Sequence, residues 1–163
     1  MLARIEACTK PTVARVQGAA LGGVELANAC DIAIASDNAS LSVTEAKFDT
    51  LPAAIGPYFN NAVGKRQARR LALTTTRIGA TEALAIGLVQ QVIAADALDG
   101  AIDSITHDLL AGGPQAQAEI KQLFAQLGVG PITPRRGEDD RPDQPLRRQC
   151  SRRETQRRDW RCG

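Results

Sequence analysis

The stretch that decides the fold is Val16-Gln-Gly-Ala-Ala-Leu-Gly-Gly-Val-Glu25. It follows an alternating segment, 11–16, which predicts a strand, and it precedes Asp31-Ile-Ala-Ile-Ala35, which predicts a second, buried strand. Glycines open a predicted short helix over residues 21–29, between these two strands. A third strand is predicted over residues 39–43. This order indicates an α/β fold.

The later part of the chain is predicted to be mostly helical. Thr81 is expected to cap the helix 81–86 at its N-terminus, and Gly87 is expected to end it. Pro114 suits the first position of the last helix. The other predicted elements are helices 58–63, 66–73, 96–110 and 114–127 and a short strand, 88–93. Together they indicate a helical layer that follows the α/β core.

Composition divides the 163 residues into a domain, 1–133, and a tail, 134–163. The domain holds 10 Lys and Arg against 12 Asp and Glu, with the patterning of a globular fold. The tail holds ten Arg, no Lys and six Asp or Glu, without a helical or strand period. We expect this basic tail to be disordered, because it has too few apolar residues to offset its chain entropy. The abrupt change near residue 135 suggests frame-shifted sequence.

Several classes of function are disfavoured by composition. No apolar run approaches the ~18–20 residues of a membrane span, and the start lacks the apolar segment of a signal peptide, so we expect a cytoplasmic location. Cys8, Cys30, Cys150 and Cys162 lack the spacing of metal ligands, and His107 is the single histidine, so no metal is expected. An aromatic content of 3% disfavours base stacking. The Arg-rich tail could attract phosphates by charge, but an inert tail is favoured over nucleic-acid binding.

The glycine-opened helix is the first candidate site. Free N–H groups at a helix start, with the positive end of the helix, can stabilise an oxyanion. Glycines also let a ligand approach the backbone closely. The stretch is not a phosphate loop, because it lacks both Gly-Lys-Ser/Thr and the G-x-G-x-x-G spacing. Tight packing of a strand against a helix would need the same glycines, so both interpretations stay open.

The second candidate site is a pair of carboxylates. Glu25 lies near the start of the glycine-opened helix, and Glu45 follows the predicted third strand. Two carboxylates at one pocket can divide the duties of general acid and general base. Spacing alone does not bring them together, so two solvated surface glutamates are the alternative.

A series of motifs occurs in order along the chain. The first two are Lys10-Pro-Thr-Val-Ala-Arg-Val-Gln-Gly-Ala-Ala-Leu-Gly-Gly23 and Leu26-Ala-Asn-Ala-Cys-Asp-Ile-Ala-Ile-Ala35. Later motifs are Thr44-Glu45, Leu51-Pro-Ala53, Pro57-Tyr58, Gly64-Lys-Arg-Gln-Ala-Arg-Arg70, Ala80-Thr-Glu-Ala83 and Gly87-Leu-Val89. Over residues 3–132, the chain resembles the enoyl-CoA hydratase/isomerase (crotonase) family. The Pro-Tyr and Arg-rich motifs most resemble its methylglutaconyl-CoA or carboxygeranoyl-CoA hydratase branch.

This resemblance implies a partial crotonase fold of ββα units followed by a helical layer, assembled as trimers or hexamers. It implies addition of water across the C2=C3 bond of an enoyl-CoA thioester. No metal or separate cofactor is expected, since CoA is part of the substrate.

The resemblance also assigns roles to four residues. A backbone N–H of Gly22 or Gly23 would polarise the thioester carbonyl in an oxyanion hole. Glu25 would hold or activate the water. Glu45 would exchange the proton at the other carbon.

Substrate contacts are implied as well. By family position, Leu21 and Lys121 are expected to bind the substrate. Arg66, Arg69 and Arg70 could meet the CoA phosphates, but a solvated helix face is favoured for them.

The sequence also departs from the family. The N-terminal half of the family, with its second oxyanion N–H, has no counterpart here. The glycine run is one residue short, and a deletion at a helix start rotates all later residues of the helix by about 100°. Asp49 occupies a position where glycine is usual. An alternative is therefore a catalytically inactive fragment, or a non-catalytic chain that associates with full-length paralogues through its helical layer, 66–127.

Overall fold

A computed structural model describes residues 1–21 and 24–127. The side chains of Leu21, Glu25 and Leu127 lie outside this description, as does the predicted tail. The helices are α1 Leu2–Glu6, α2 Val24–Ala29, α3 Gly56–Thr74, α4 Ala80–Ala85, α5 Leu98–Ala111 and α6 Pro114–Leu127. The strands are β1 Val13–Val16, β2 Ala19–Leu21, β3 Ile32–Ser36, β4 Ser40–Ser42, β5 Ile78–Gly79 and β6 Gln91–Ile93. A 3₁₀ helix spans Glu45–Phe48.

The first sheet has the order β1-β3-β6, and all its strands are parallel. Val13 lies opposite Ile32, and Ile34 lies opposite Gln91. Residues 33–36 of the central strand are buried one after another, as expected for a parallel strand that is covered on both faces. The continuous apolar run that predicted a buried strand therefore forms the centre of this sheet.

The second sheet has the order β2-β4-β5, in which β2 and β4 are parallel and β5 is antiparallel to β4. Gly18, with a φ of +67°, lies at the turn between β1 and β2. Its carbonyl accepts a hydrogen bond of 2.9 Å from the N–H of Ser40. This turn sends consecutive strands into different sheets, which a left-handed glycine permits.

Helix α3 covers the core beside α2 and the 3₁₀ helix. It buries Phe59 and Leu71 among other apolar side chains. Gly64 interrupts the helix with a φ of 73° and a ψ of 158°. The two predicted helices, 58–63 and 66–73, are thus confirmed as the two arms of one kinked element.

Two predicted helix starts are wrong. Leu21 does not begin a helix, because its backbone pairs with β4 as the last residue of β2. Thr81 is not the cap of α4, because the extended Gly79, with φ −86° and ψ 174°, takes the N-cap position and leaves Thr81 inside the helix. Gly87, with a φ of +80°, follows the end of α4 as predicted.

The remaining predictions are confirmed in outline. Pro114 is the first residue of α6, and β6 is a shorter version of the predicted strand 88–93. The sequence pattern does not predict α1, β2 and β5, since five, three and two residues are too few to show a period. Among the described residues, no helix is long and apolar enough to cross a membrane.

Candidate active site

The register of the second sheet brings the two candidate glutamates to one edge. Strands β2 and β4 run parallel and end at Leu21 and Ser42, which lie opposite each other. Glu25 lies in the first turn of α2, which follows β2, and Glu45 begins the 3₁₀ helix that follows β4. The carboxyl ends of neighbouring parallel strands form a common ligand-binding edge in α/β folds. The backbone positions of Glu25 and Glu45 therefore follow two neighbouring parallel strands at the same edge.

The backbone around Glu45 is held by a tight local turn. Its carbonyl accepts hydrogen bonds from the N–H of Thr50 at 3.2 Å and from Thr50 Oγ1 at 3.0 Å. Asp49 caps the 3₁₀ helix in the left-handed region, with φ 55° and ψ 34°, and also donates its N–H to that carbonyl. The departure from glycine at Asp49 is thus accommodated in a conformation that aspartate tolerates. Glu45 itself is half-buried.

An exposed apolar surface lies beside Glu45, and the sequence patterns did not predict it. Phe48 is 74% exposed and Leu51 is 84% exposed. Residues three apart in a 3₁₀ helix lie on the same side, so Phe48 shares a side with Glu45. The signal available in the sequence was the presence of two large apolar residues, Phe48 and Leu51, just before Pro52. The surface can contact an apolar chain next to a carboxylate.

The predicted oxyanion residues, Gly22 and Gly23, lie outside the described residues. The same is true of the side chains of Leu21 and Glu25. The oxyanion hole, the substrate contact of Leu21 and the orientation of Glu25 therefore stay predictions.

Lys121 lies at the other end of α2 from Glu25. Its Nζ donates to Asp31 Oδ2 at 2.6 Å and to the carbonyl of Lys10 at 3.1 Å. The side chain is only 14% exposed. Asp31 follows the C-terminal end of α2, whereas Glu25 lies in its first turn. The ammonium is therefore committed to an ion pair away from the two glutamates, and its predicted contact with substrate stays a prediction.

Cys30 precedes Asp31 and is half-buried. Burial raises the pKa of the Cys30 thiol, and the negative charge of Asp31 adds to the effect. The hydrogen bond with the Thr12 side chain and the charge of Lys121 act in the opposite direction on this pKa. The thiol is thereby kept in its neutral form, which makes it a poor nucleophile.

Other residues singled out in the sequence face solvent. His107 is exposed on α5, and Arg66 and Arg69 are exposed on α3. Arg70 pairs with Glu82 at 2.5 Å. Within residues 1–21 and 24–127, no three His, Cys, Asp or Glu side chains are grouped as metal ligands would be.

Similarity to known proteins extends along most of the chain. The enoyl-CoA hydratase/isomerase family profile matches residues 1–129. A short-chain-enoyl-CoA hydratase of Clostridium acetobutylicum is 37% identical over 123 residues, which are 74% of this chain and 47% of that protein.

Two solved structures extend the likeness to the fold. A crystal structure of an enoyl-CoA hydratase from Shewanella pealeana has 35% identity and a TM-score of 0.74, and the match covers 93% of this chain and 53% of that one. An enoyl-CoA hydratase-like protein of Thermobifida fusca, solved in complex with acetoacetyl-CoA, has 32% identity and a TM-score of 0.76. That match covers 80% of this chain and 52% of the other.

The chain belongs to the enoyl-CoA hydratase/isomerase family, and its α/β fold is crotonase-like. The resemblance inferred from the sequence motifs is thus confirmed at the level of the family. The chain spans about half the length of the curated relatives it matches.

Proposed function

We propose that this chain carries the acid–base glutamates of an enoyl-CoA hydratase, which adds water across the C2=C3 bond of an enoyl-CoA thioester. The observation that carries the proposal is the register of β2 and β4, which leads into Glu25 and Glu45 from one sheet edge. Membership of the family supports the same reaction. The relative solved with acetoacetyl-CoA supports an acyl-CoA thioester as the ligand.

The proposed reaction uses only groups of the protein, the substrate and water. Glu25 takes a proton from the water as its oxygen bonds to C3, and the electrons of the double bond move towards the thioester oxygen. Glu45 supplies the proton that bonds to C2, and exchange with solvent restores both carboxyl groups. A positioned acid or base contributes roughly 10²–10⁴-fold to such a step.

The developing charge on the thioester oxygen needs a donor. We assign this role to an N–H of Gly22 or Gly23, in keeping with the family. One donor aimed at an oxyanion contributes about 3–4 kcal/mol to transition-state stabilisation. The proposal needs no metal ion or separate cofactor.

Within this reaction, we propose a substrate of the methylglutaconyl-CoA or carboxygeranoyl-CoA type. The support is the pair Pro57-Tyr58 and the motif 64–70, both in α3, which covers the sheet edge beside α2 and the 3₁₀ helix. The exposed Phe48 would contact the acyl chain near Glu45. The charge of Lys121 is already paired with Asp31. Lys121 would therefore contribute to substrate binding as part of this ion pair and not as a free positive charge.

A hydratase assay tests the proposed function. Crotonyl-CoA and methylglutaconyl-CoA are supplied, and loss of the conjugated-thioester absorbance is followed. Glu45→Gln and Glu25→Gln are each expected to lower turnover by roughly 10²–10⁴-fold. Glu119→Gln is the matched control, since Glu119 is exposed on α6. Equal turnover in all four proteins would contradict the roles of the glutamates, and no turnover in a folded sample would favour the next candidate.

The second candidate is a non-catalytic chain that assembles with full-length paralogues. It is supported by exposed apolar side chains on the last two helices. Leu110 is 79% exposed and Phe124 is 66% exposed, and Ile120 and Leu123 accompany them on α6. Size-exclusion chromatography is run on this chain alone and on this chain mixed with a full-length paralogue. The comparison distinguishes a trimer or hexamer of this chain from a mixed oligomer. A monomer in both samples would contradict either assembly.

The cytoplasmic location stays a prediction.

A further inference from the structure

The outward side of the second arm of α3 carries a cluster of cations. Gly64 interrupts α3, and the arm that follows it extends over residues 65–74. Lys65, Arg66 and Arg69 lie on this arm, and all three are exposed. Among the described residues, none of the ion pairs involves these three side chains. Their positive charges therefore face solvent.

An exposed leucine lies in the middle of this cluster. Leu73 is 78% exposed, whereas Leu71 is buried in the core on the opposite side of the helix. Successive residues of an α-helix are about 100° apart, so Leu73 lies about 20° around the helix from Arg66 and about 40° from Arg69. An apolar side chain is thus flanked by cations on the side of α3 that faces away from the core. We call Lys65, Arg66, Arg69 and Leu73 the basic face.

The neighbouring Arg70 is differently placed. Its guanidinium forms an ion pair with Glu82 on α4, and its Nε also donates to Gln67 Oε1 at 2.9 Å. Arg70 and Glu82 therefore neutralise each other. No other carboxylate of the described residues forms an ion pair with this arm of α3. The basic face thus keeps its positive charge.

The basic face does not stabilise the chain by itself. Lys65 and Arg69 are four residues apart, and like charges at this spacing on a helix repel each other. Lys65 and Arg66 also begin the arm that follows Gly64, where the helix dipole disfavours cations. A negatively charged partner would relieve both unfavourable interactions.

An anionic bilayer surface complements both kinds of side chain on the basic face. Lys and Arg side chains can extend their charged ends to lipid phosphates, while a leucine between them reaches the boundary of the acyl chains. A nucleic acid would offer phosphates to the cations but no apolar contact to Leu73. The arm 65–74 also has no aromatic side chain on which a base could stack. The observations therefore favour lipid over nucleic acid.

We propose that the basic face docks on an anionic lipid surface. Lys65, Arg66 and Arg69 contact the headgroup phosphates, and Leu73 enters the boundary between headgroups and acyl chains. The contact is peripheral, in keeping with the absence of a membrane-crossing helix among the described residues. Because the cations are exposed, salt is expected to weaken the docking. The proposal goes beyond the hydratase reaction and does not depend on it.

Cosedimentation of the full chain with sucrose-loaded vesicles tests the electrostatic part. Vesicles of phosphatidylcholine and phosphatidylglycerol in equal parts are expected to bind the chain, and phosphatidylcholine alone at least about tenfold more weakly. Arg66→Gln combined with Arg69→Gln is expected to lower the partition coefficient about 25-fold, since each cation near an anionic surface contributes about fivefold. Arg4→Gln combined with Lys10→Gln is the matched control. It removes two exposed cations elsewhere and is expected to change the partition coefficient less than about threefold.

The role of Leu73 is tested with the same vesicles. Leu73→Ala is expected to lower the partition coefficient about tenfold, which corresponds to the loss of roughly two buried CH₂ groups. Leu110→Ala is the matched control, because Leu110 on α5 is 79% exposed. It is expected to bind as the parent chain does. All the substituted side chains are exposed, so circular dichroism is expected to show the same fold in every variant.

Four results would overturn the proposal. Equal binding to the two kinds of vesicle would exclude recognition of anionic lipid. Absence of binding to both would leave an acidic protein as the partner of the basic face. Equal binding of all variants would place the attraction elsewhere, for example in the ten Arg of residues 134–163. Weaker binding of the Arg66 and Arg69 variant with unchanged binding of Leu73→Ala would leave a phosphate-rich ligand such as RNA. The comparison of the two vesicles uses the unmodified chain, so it decides the first two points without any variant.

Discussion

Leu21 and Ser42 lie opposite each other at the last positions of the parallel strands β2 and β4. Ser42 also donates from its Oγ to the carbonyl of Thr75 at 3.2 Å. Thr75 caps α3 at its C-terminus. One buried serine therefore joins the end of α3 to the sheet edge that carries Glu25 and Glu45.

Removal of the Ser42 hydroxyl tests this connection. We expect Ser42→Ala to lower the free energy of unfolding by about 1 kcal/mol, because a partly buried hydrogen bond is lost. Ser40→Ala, two residues earlier in β4, is the control and is expected to change stability by less than about 0.5 kcal/mol. Urea denaturation measures both. Equal effects of the two substitutions would argue against a role for the Ser42–Thr75 contact.

Thr75 itself is strained. Its φ of 51° and ψ of 25° place a β-branched residue in the left-handed region. We expect Thr75→Gly to raise the free energy of unfolding by about 1 kcal/mol, since glycine relieves this strain at a helix C-terminus. Thr76→Gly should instead lower stability, because Thr76 does not have a positive φ. Thermal melts measure the Tm of both variants. Changes in Tm of the same sign would contradict this explanation.

The Asp31 contacts are expected to matter more than a surface ion pair of similar length. Asp31 accepts three hydrogen bonds, from Thr12 N, Thr12 Oγ1 and Lys121 Nζ. We expect Asp31→Ala to lower the free energy of unfolding by about 2 kcal/mol. Asp99 pairs with Arg15 at 2.7 Å but is 79% exposed, so Asp99→Ala should cost no more than about 0.5 kcal/mol. Chemical denaturation measures the loss of unfolding free energy in both variants. A larger loss for Asp99→Ala than for Asp31→Ala would contradict this prediction.

Stability is expected to fall at alkaline pH through Cys30. Because burial raises the pKa of its thiol, the folded state retains the proton to a higher pH than the unfolded chain does. This contribution is complete below the ordinary thiol pKa and is lost as the pH rises through the raised value. A Cys30→Ala variant should lose part of the alkaline slope in the free energy of unfolding. Alkylation of Cys30 in a chain with Cys8, Cys150 and Cys162 replaced by serine should also begin only above the usual thiol pH range.

The fold was predictable where the pattern was long. Residues 32–35 form an unbroken apolar run within β3, and residues 98–111 and 114–127 form two full helices, with Gly112 after the end of α5 and Pro114 at the start of α6. Strands β2 and β5 could not be predicted, because their pairing with β4 comes from tertiary structure and not from a period. For the same reason, local pattern alone places Leu21 in a helix.

The candidate site was predictable only in part. Glu25 and Glu45 were candidates from their positions and took their roles from the family motifs, whereas their common edge required the pairing of β2 with β4. The contact between Asp31 and Lys121 joins residues 90 positions apart, and no local pattern encodes such a distance.

The turn at Gly18 has a consequence for the order of folding. Val13 pairs with Ile32 in one sheet, and Ala19 pairs with Ser40 in the other, each across about twenty residues of chain. The two pairings interleave along the same segment, so the closure of one loop brings the ends of the other together. Residues 13–42 could thus nucleate both sheets in a single early event, while β5 and β6 join later from a greater separation. Gly18 would then influence the rate of folding as well as the stability of the folded chain.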